Sequence, residues 1–293
     1  MESIALIGAP IDSVGRSGGT ELAPATLREL GMAAALGCDD RGDLDLRIRG
    51  EERDPETGIL ASADVLAATT AIRAAVAGTI SGGSRPLLAG GCCAELPGAL
   101  AGARDALGQV GLVHLDGHLD LYDGTTSPTG EAADMPDSVA IGRGPRRWVE
   151  AAGGAGTDPG RLALVGFRDR DESRRHGMLQ PDELDPQPAL HPVEELRAAG
   201  PGAAARAIAA AMSARGPFWL HFDVDVLDED VFPATDYLMP GGMSWEELRE
   251  VLTPLTRSPA LAGASIACYN PEKDPGLACG RSLVEALRVS LPP

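Results

Sequence analysis

The sequence has few positive charges. Lys273 is its one lysine, and 25 lysine and arginine residues in total face 43 aspartate and glutamate residues, so the formal net charge is -18. Because nucleic-acid binding needs clustered lysine and arginine side chains, this balance argues against a nucleic-acid partner. The near-absence of lysine beside abundant alanine and glycine is typical of a compositional bias of the source genome.

An uninterrupted apolar run long enough to cross a bilayer is also missing, which argues against a membrane partner. Residues 1–7 lack the basic segment of a signal peptide and are typical of a β-strand. The cysteines are five in number, two of them adjacent, and none has the Cys-x-x-Cys spacing of redox and zinc motifs. Structural disulfides are therefore not expected, and the sequence predicts a location in the reducing cytoplasm.

No linker rich in proline, serine and glycine and no internal repeat divides the chain. Its 293 residues, 44% of them hydrophobic, are enough for one large α/β domain, and we predict a single domain over residues 1–293. Short apolar runs alternate with alanine-rich amphipathic stretches. This alternation predicts a mostly parallel sheet covered by helices on both faces. Ligands bind to such folds at the carboxyl ends of the strands.

The predicted elements follow these runs in chain order. Strands are expected at residues 4–7, 86–89, 110–115, 162–165, 218–224 and 264–267. Helices are expected at residues 23–36, 62–80, 94–107, 201–214, 244–253 and 280–287. The charged stretch 41–55 is expected to be a surface loop.

One apolar strand runs directly into a cluster of ligand-type side chains at residues 113–120. Asp116, His118 and Asp120 occupy alternate positions, so on an extended chain their side chains project to one side. Carboxylates crowded on one side repel one another unless a cation lies among them. His114 lies deeper in the same strand, and we expect it to be a hydrogen-bonded core histidine.

A second strand ends in the same way. Asp223 and Asp225 lie on one side of it, between apolar residues that should be buried, and His221 precedes them as a second expected core histidine. Buried carboxylates must be paired, hydrogen-bonded or bound to metal. Either run alone is consistent with aspartates that cap a turn, but two such runs after two strong strands favour a metal site. Four carboxylates and one imidazole suit a cation such as Mn²⁺.

These two segments resemble the two metal signatures of the arginase/agmatinase (ureohydrolase) family. The resemblance covers nearly the whole chain, and the order and spacing of its motifs are specific for the superfamily. Supporting segments are 8–10, 18–19, 24–28, 88–91, 165–171, 233–235, 240–242 and 270–271. The resemblance implies a three-layer α/β/α sandwich with a mostly parallel central sheet. It also implies a bacterial enzyme that acts on a small molecule and forms a homo-oligomer.

The family hydrolyses a C–N bond, usually of a guanidine, with two Mn²⁺ ions and a bridging hydroxide. By position, the resemblance implies that Asp116 and Asp223 are shared ligands and that His118 and Asp225 complete one metal position. Asp120 and Cys93 would complete the other. Two cations lower the pKa of a shared water, and Asp120 is expected to orient the resulting hydroxide as a catalytic residue.

The first departure from the family pattern is at Cys93. The family's Gly-Gly-Asp-His reads Gly-Gly-Cys-Cys at residues 90–93, so a cysteine replaces the usual histidine ligand. A thiolate favours Zn²⁺ or Fe²⁺ over Mn²⁺, and the site would hold either two metals, one of them weakly, or a single metal. Some family members that act on hydroxylated arginine in antibiotic biosynthesis look similar here. Cys93 is equally consistent with a small buried hydrophobic residue.

The second departure is at Cys268, where members that hydrolyse guanidines carry a glutamate. A neutral cysteine does not supply the charge-assisted, two-point pair that a guanidinium favours. Cys268 is therefore expected to contact a substrate other than simple arginine.

The third departure is in the substrate loop, where Ala133 replaces the family's proton-shuttling histidine. Glu131 lies where the family contacts the amino-acid end of its substrate, and it is expected to bind a cationic substrate or act as a general acid or base. A solvated loop residue is the alternative for Glu131. Thr129, Asp171 and Tyr237 complete the predicted substrate contacts by position.

The sequence thus predicts a metal-dependent hydrolase that cleaves a C–N bond in a guanidino, amidino or amide-type small molecule. A single-metal amidohydrolase closer to the deacetylases of this fold is one alternative, with Zn²⁺ on Asp116, His118 and either Asp223 or Asp225. A non-catalytic protein that keeps the arginase fold is the other. Asp169 is expected to cap a turn or pair with Arg168, and His176 and His191 are expected at the surface.

Overall fold

The computed structural model describes residues 3–14 and 18–291. Its eight strands form one sheet in the order β2-β1-β3-β8-β7-β4-β5-β6, and every neighbouring pair is parallel. The strands are β1 Ser3–Ala9, β2 Asp39–Asp43, β3 Ser84–Gly90, β4 Gly111–Leu115, β5 Leu162–Val165, β6 Ala189–His191, β7 Phe218–Asp223 and β8 Leu261–Ala267.

Helices cover both faces of this sheet. They are α1 Ala23–Glu29, α2 Met32–Leu36, α3 Ser62–Ser81, α4 Leu96–Leu107, α5 Pro136–Ala140, α6 Arg146–Ala151, α7 Arg170–Arg175, α8 Val193–Ala199, α9 Pro201–Ser213, α10 Trp245–Thr256 and α11 Ala278–Ser290. One core joins the sheet to α1, α2 and α8 to α11, and the other joins it to α3 to α6. Alternate strand residues serve the two cores, as Val113 and Leu112 of β4 show. The predicted three-layer α/β/α sandwich is confirmed.

The predicted elements differ from the observed ones at the edges of the sheet and in four short helices, α5 to α8, which are not among the predicted helices. Residues 41–43, expected in a loop, belong to edge strand β2, whose five residues are all exposed. A strand without a buried face has no apolar pattern to reveal it. The opposite edge strand β6 is also outside the predicted strands, because its three partly buried residues are too few to form a recognisable apolar run. The helix expected over residues 23–36 is interrupted at Gly31, which adopts a left-handed φ of 83° between α1 and α2.

Among the described residues, α3 is the one helix with the length and apolar composition of a membrane span. Its sequence is not an uninterrupted apolar run, because Asp64 and Arg73 lie within it. Val65, Ile72 and Val76 bury one side of the helix in the core that it shares with α4. Core packing therefore accounts for the apolar residues on this side of α3.

The strand order brings four chain segments together at one edge of the sheet. Strands β4 and β7 are neighbours, with His114 opposite His221, so the segments that follow both strands leave the sheet side by side. Strand β8 lies next to β7, and β3 lies next to β8. Because all strands are parallel, the residues just after β3, β4, β7 and β8 meet at the carboxyl edge.

Ser265 of β8 contacts two buried side chains of the neighbouring strand β7, Trp219 and His221. Its hydroxyl oxygen accepts a hydrogen bond from Trp219 Nε1 at 2.9 Å and lies 2.7 Å from His221 Nδ1, and all three residues are fully buried. We expect Ser265→Ala to lower the free energy of unfolding by about 2 kcal/mol or more, because two buried ring nitrogens lose their partner. Urea denaturation followed by tryptophan fluorescence measures the change.

Ser3→Ala is the matched control, because Ser3 is a strand serine whose contact with Ser84 is exposed. Its effect should stay within about 0.5 kcal/mol. Equal effects of the two substitutions would contradict the role given to Ser265.

Candidate metal centre

Residues that follow β4 and β7 meet in one cluster. His118 Nδ1 lies 3.0 Å from Asp225 Oδ2 and 3.5 Å from Asp116 Oδ1. These three side chains place one nitrogen and two oxygen atoms within 4.8 Å of one another. The group thus consists of nitrogen and oxygen donors only, spaced closely enough to surround one ion.

A second group lies beside the first and includes sulfur. Cys93 Sγ lies 2.7 Å from Asp223 Oδ2 and 3.9 Å from Asp116 Oδ2. The side chains of Cys93, His114, Asp116 and Asp120 also offer ligand atoms within 4.8 Å of one another. The Cys93 sulfur therefore faces the carboxylates, although the residue is almost fully buried.

Backbone amides hold the carboxylates in place. Gly117 N–H donates to Asp225 Oδ1 at 3.0 Å, Asp225 N–H donates to Asp223 Oδ1 at 2.8 Å, and His118 N–H donates to Asp116 Oδ1 at 2.7 Å. Each of these three aspartates thus has one oxygen fixed by the main chain. The backbone at Asp120 adopts a left-handed φ of 49°, uncommon for a non-glycine residue.

Burial and mutual repulsion raise the pKa of three of the four carboxyl groups. Burial raises the pKa of Asp223 well above its usual range, and Asp225 and Asp116 add to the effect. The pKa values of Asp225 and Asp120 rise through burial and through the charge of Asp116. Burial would also raise the pKa of Asp116, but His114 and His118 hold it well below its usual range. The cluster is therefore rich in acid and short of positive charge.

His114 and His221 lie behind the cluster with their rings stacked, 5.2 Å between centroids. His114 Nε2 lies 2.9 Å from Asp116 Oδ2, and its Nδ1 lies 2.7 Å from Asp137 Oδ2. Both contacts have the distance of an ion pair, so each aspartate acts directly on the His114 ring. Burial opposes protonation of His114, yet Asp137 and Asp116 raise its pKa well above normal. Burial and His114 lower the pKa of His221 to about 3, so its ring is neutral.

Two buried carboxyl groups near the cluster were not singled out from the sequence. Asp137, on α5, is the partner of His114, and no local motif marks it.

Glu95 follows Cys93 and is fully buried, with no hydrogen-bond partner for either carboxyl oxygen among the described residues. Burial raises its pKa well above normal, and Asp223 adds to the shift, which favours the neutral acid. An acidic residue inside the apolar stretch 86–103 was the available signal for Glu95.

A cavity of about 270 Å³ opens over the cluster. Its volume is near the lower limit for small-molecule sites and suits a ligand of amino-acid size. Asp134, Asp169 and Glu172 line it in addition to the cluster, and neither lysine nor arginine is among the described residues that line it. Such a wall favours a cationic ligand.

The predicted substrate residues fall into two groups. Thr129, Tyr237 and Cys268 line the cavity, and the Thr129 hydroxyl donates to Asp134 Oδ2 at 2.6 Å. Glu131 is not among the lining residues, and its Oε2 accepts a 2.6 Å hydrogen bond from the Tyr237 hydroxyl. In this structure Glu131 therefore positions a residue of the wall.

The segment around α7 requires corrections. Asp171 is exposed and does not line the cavity, whereas Asp169 and Glu172 do. The reason is that helix α7 begins at Arg170, and residues three apart on a helix share a face. Burial raises the pKa of Asp169 to about 6, and the Arg168 guanidinium bonds instead to the carbonyl oxygen of Asp225 at 2.8 Å.

His176 is exposed, as predicted, but it also lines the cavity. Its Nδ1 lies 3.4 Å from the hydroxyl of Tyr122. Ala133 lines the same cavity and brings no proton-carrying group. His176 thus places an imidazole at the mouth, contributed by a different segment from the substrate loop.

Cys268 follows β8 and faces Cys93, with 3.6 Å between the two sulfur atoms. Its backbone adopts a left-handed φ of 69°, and its N–H donates to the carbonyl oxygen of Gly91 at 2.7 Å. Cys93, Cys268 and Asp223 form a third group of ligand atoms within 4.8 Å of one another. The carboxylate, imidazole and thiol donors of the whole cluster fit divalent ions of the Mn²⁺, Fe²⁺ and Zn²⁺ series.

Comparisons with known proteins agree with this architecture. A solved arginase from Bacillus caldovelox superposes with a TM-score of 0.87 at 23% identity, covering 99% of this chain and 98% of that one. The formimidoylglutamase of Bacillus subtilis superposes with a TM-score of 0.74 at 19% identity, covering 99% and 86%. At these identities the likeness shows the fold.

Sequence relatives span similar lengths. The arginase of Brevibacillus brevis is 25% identical over 286 residues, covering 93% of this chain and 92% of its own. The N(omega)-hydroxy-L-arginine amidinohydrolase of Streptomyces lavendulae is 31% identical over 215 residues, covering 70% and 67%. The sequence model of the arginase family matches residues 2–288. The chain belongs to the arginase family.

Proposed function

We propose that this chain is a metal-dependent hydrolase that cleaves a C–N bond in a small guanidino or amidino molecule. One observation carries the proposal: the side chains of Asp116, His118 and Asp225 converge within 4.8 Å of one another beneath a cavity of amino-acid size. Membership of a family of C–N hydrolases supports the same reaction class. The acidic wall of the cavity supports a ligand with a positive charge.

The proposed roles follow from position. Asp116, His118, Asp223 and Asp225 would hold the cations, with Asp120 and Cys93 at the second position. Divalent cations bound there would lower the pKa of a water and so supply hydroxide at neutral pH. Asp120 lines the cavity and would accept a hydrogen bond from the attacking water, orienting it toward the substrate carbon.

The groups on the cavity wall would bind the substrate and complete the proton transfer. Asp134, Asp169 and Glu172 would attract its cationic end, while Glu131 holds Tyr237 in place. The departing amine needs a proton. His176, an exposed imidazole that lines the cavity, would supply it, because Ala133 carries no proton-donating group.

Cys268 argues for a guanidine of reduced basicity. The cysteine offers no carboxylate to pair with a strongly basic guanidinium, so a group that is less dependent on such a pair fits better. Hydroxylation on nitrogen lowers the basicity of a guanidine, and the Streptomyces lavendulae relative is named for a hydroxylated arginine. An N-hydroxyguanidino amino acid is therefore the first substrate to test.

With Mn²⁺ present, we expect release of hydroxyurea from N-hydroxyarginine at least about tenfold faster than release of urea from arginine or agmatine, because no carboxylate replaces the glutamate at Cys268. Chromatographic quantification of both products and of the amine measures the ratio. Inactivity toward all guanidines and amidines tested, with Mn²⁺, Fe²⁺ and Zn²⁺ each supplied, would contradict the proposal and favour a non-catalytic protein.

Asp120→Asn should lower kcat by about 100-fold or more, because the attacking water loses a charged hydrogen-bond acceptor. Steady-state kinetics on the best substrate of that panel, together with metal content, measures the effect. Asp182→Asn is the matched control, since Asp182 is an exposed aspartate paired with Arg170 outside the cavity. Unchanged kcat in Asp120→Asn would refute the role of Asp120.

A further inference from the structure

The two cysteines at the strand ends have the spacing of metal ligands. Cys93 and Cys268 come from segments 175 residues apart, and their sulfur atoms lie 3.6 Å from each other. Two thiolates on a tetrahedral zinc, with Zn–S distances of about 2.3 Å, stand roughly 3.8 Å apart. Asp223 Oδ2 lies 2.7 Å from Cys93 Sγ, and all three donors are mutually within 4.8 Å.

We propose that Cys93, Cys268 and Asp223 form a thiolate-rich metal position that prefers Zn²⁺ over Mn²⁺. Cys268 is then a metal ligand, which explains why a residue at the expected substrate-reading position faces another cysteine. The proposal deepens the proposed function, since it concerns the same site, but it is a statement about metal binding that requires no substrate. The donor set decides the metal, because soft thiolates favour Zn²⁺ while carboxylates and water suit Mn²⁺.

The neighbouring group has the opposite preference. Asp116, His118 and Asp225 offer nitrogen and oxygen donors without sulfur. The centre therefore has two unequal positions, one suited to Mn²⁺ and one to Zn²⁺.

The backbone at Cys268 supports a built site. A left-handed φ is unfavourable in a non-glycine residue and persists where surrounding contacts enforce it. Here the N–H of Cys268 is held by the carbonyl of Gly91, directly before Cys92 and Cys93. This hydrogen bond ties the two cysteine segments to each other and fixes the approach of their sulfur atoms.

A second layer of contacts orients Cys93. His221 Nε2 lies 3.1 Å from Cys93 Sγ, and its Nδ1 lies 2.7 Å from the Ser265 hydroxyl. The His221 tautomer with its proton on Nε2 would donate to the Cys93 sulfur while the Ser265 hydroxyl donates to Nδ1. Metal ligands are commonly held by such outer hydrogen bonds, and losing one costs 10–100-fold in affinity.

The test uses Co²⁺ as a spectroscopic substitute for Zn²⁺ on the whole chain, stripped of metal and kept reduced. We expect Co²⁺ to give an intense near-ultraviolet thiolate-to-metal absorption band, which Zn²⁺ abolishes by displacement. Cys93→Ser and Cys268→Ser should each lose about half of the band and weaken Zn²⁺ binding at least about tenfold, since losing a direct ligand costs no less than losing an outer hydrogen bond to one. Titration with Zn²⁺ against a chromophoric chelator measures affinity.

Two controls make the result specific. Cys92→Ser changes an adjacent buried cysteine that belongs to none of the ligand groups, and it should keep the band and the affinity. Asp225→Asn changes the other position and should also keep the band. Circular dichroism confirms that each variant is folded.

A wild-type protein without the band, or a Cys268→Ser variant that matches Cys92→Ser, would overturn the inference. Either result leaves the proposed hydrolysis standing if Mn²⁺ supports turnover. Conversely, if the two-thiolate band is present but the protein hydrolyses none of the substrates, the proposed function is refuted and the proposed metal position stands.

Discussion

Mutual repulsion among buried carboxylates is the constraint on which this structure depends. Asp116, Asp120, Asp223 and Asp225 share the carboxyl edge of β4 and β7, where burial weakens the screening of their charges by solvent. Backbone amides fix one oxygen on three of them, and His114 and His118 offset part of the charge. A divalent cation would offset the remainder. The parallel sheet, the order of its strands and the acidic cavity all matter because they bring these groups together.

The two halves of the candidate metal centre differ in their donor atoms. One side has the carboxylates and imidazole that the family resemblance leads one to expect, and the other has two cysteines that face each other. Compared with the family pattern, Cys93 replaces a histidine ligand. Cys268 replaces the glutamate whose carboxylate would pair with a strongly basic guanidinium. In the proposed centre Cys268 would belong both to the metal position and to the place of the missing glutamate, so metal preference and substrate preference would be coupled through this residue.

Much of the fold and part of the site follow from the sequence. Buried strands such as β4 and β7 carry continuous apolar runs that end in ligand residues, so both are visible in the chain. Edge strands β2 and β6 lack such runs. Asp137 lies beside the cluster only because the fold brings α5 to His114 of β4, and the Cys93–Cys268 contact joins residues 175 apart. Asp169 and Glu172, rather than Asp171, face the cavity because the chain changes from an extended to a helical period at Arg170.

The central claim is that a divalent cation sits among the aspartates. An anomalous difference map from a crystal grown with Mn²⁺, collected at the manganese absorption edge, tests it most directly. The account predicts a peak within coordination distance of Asp116, His118 and Asp225. The absence of an anomalous peak there, with the three side chains clearly resolved and in contact only with one another or with arginines, would contradict it.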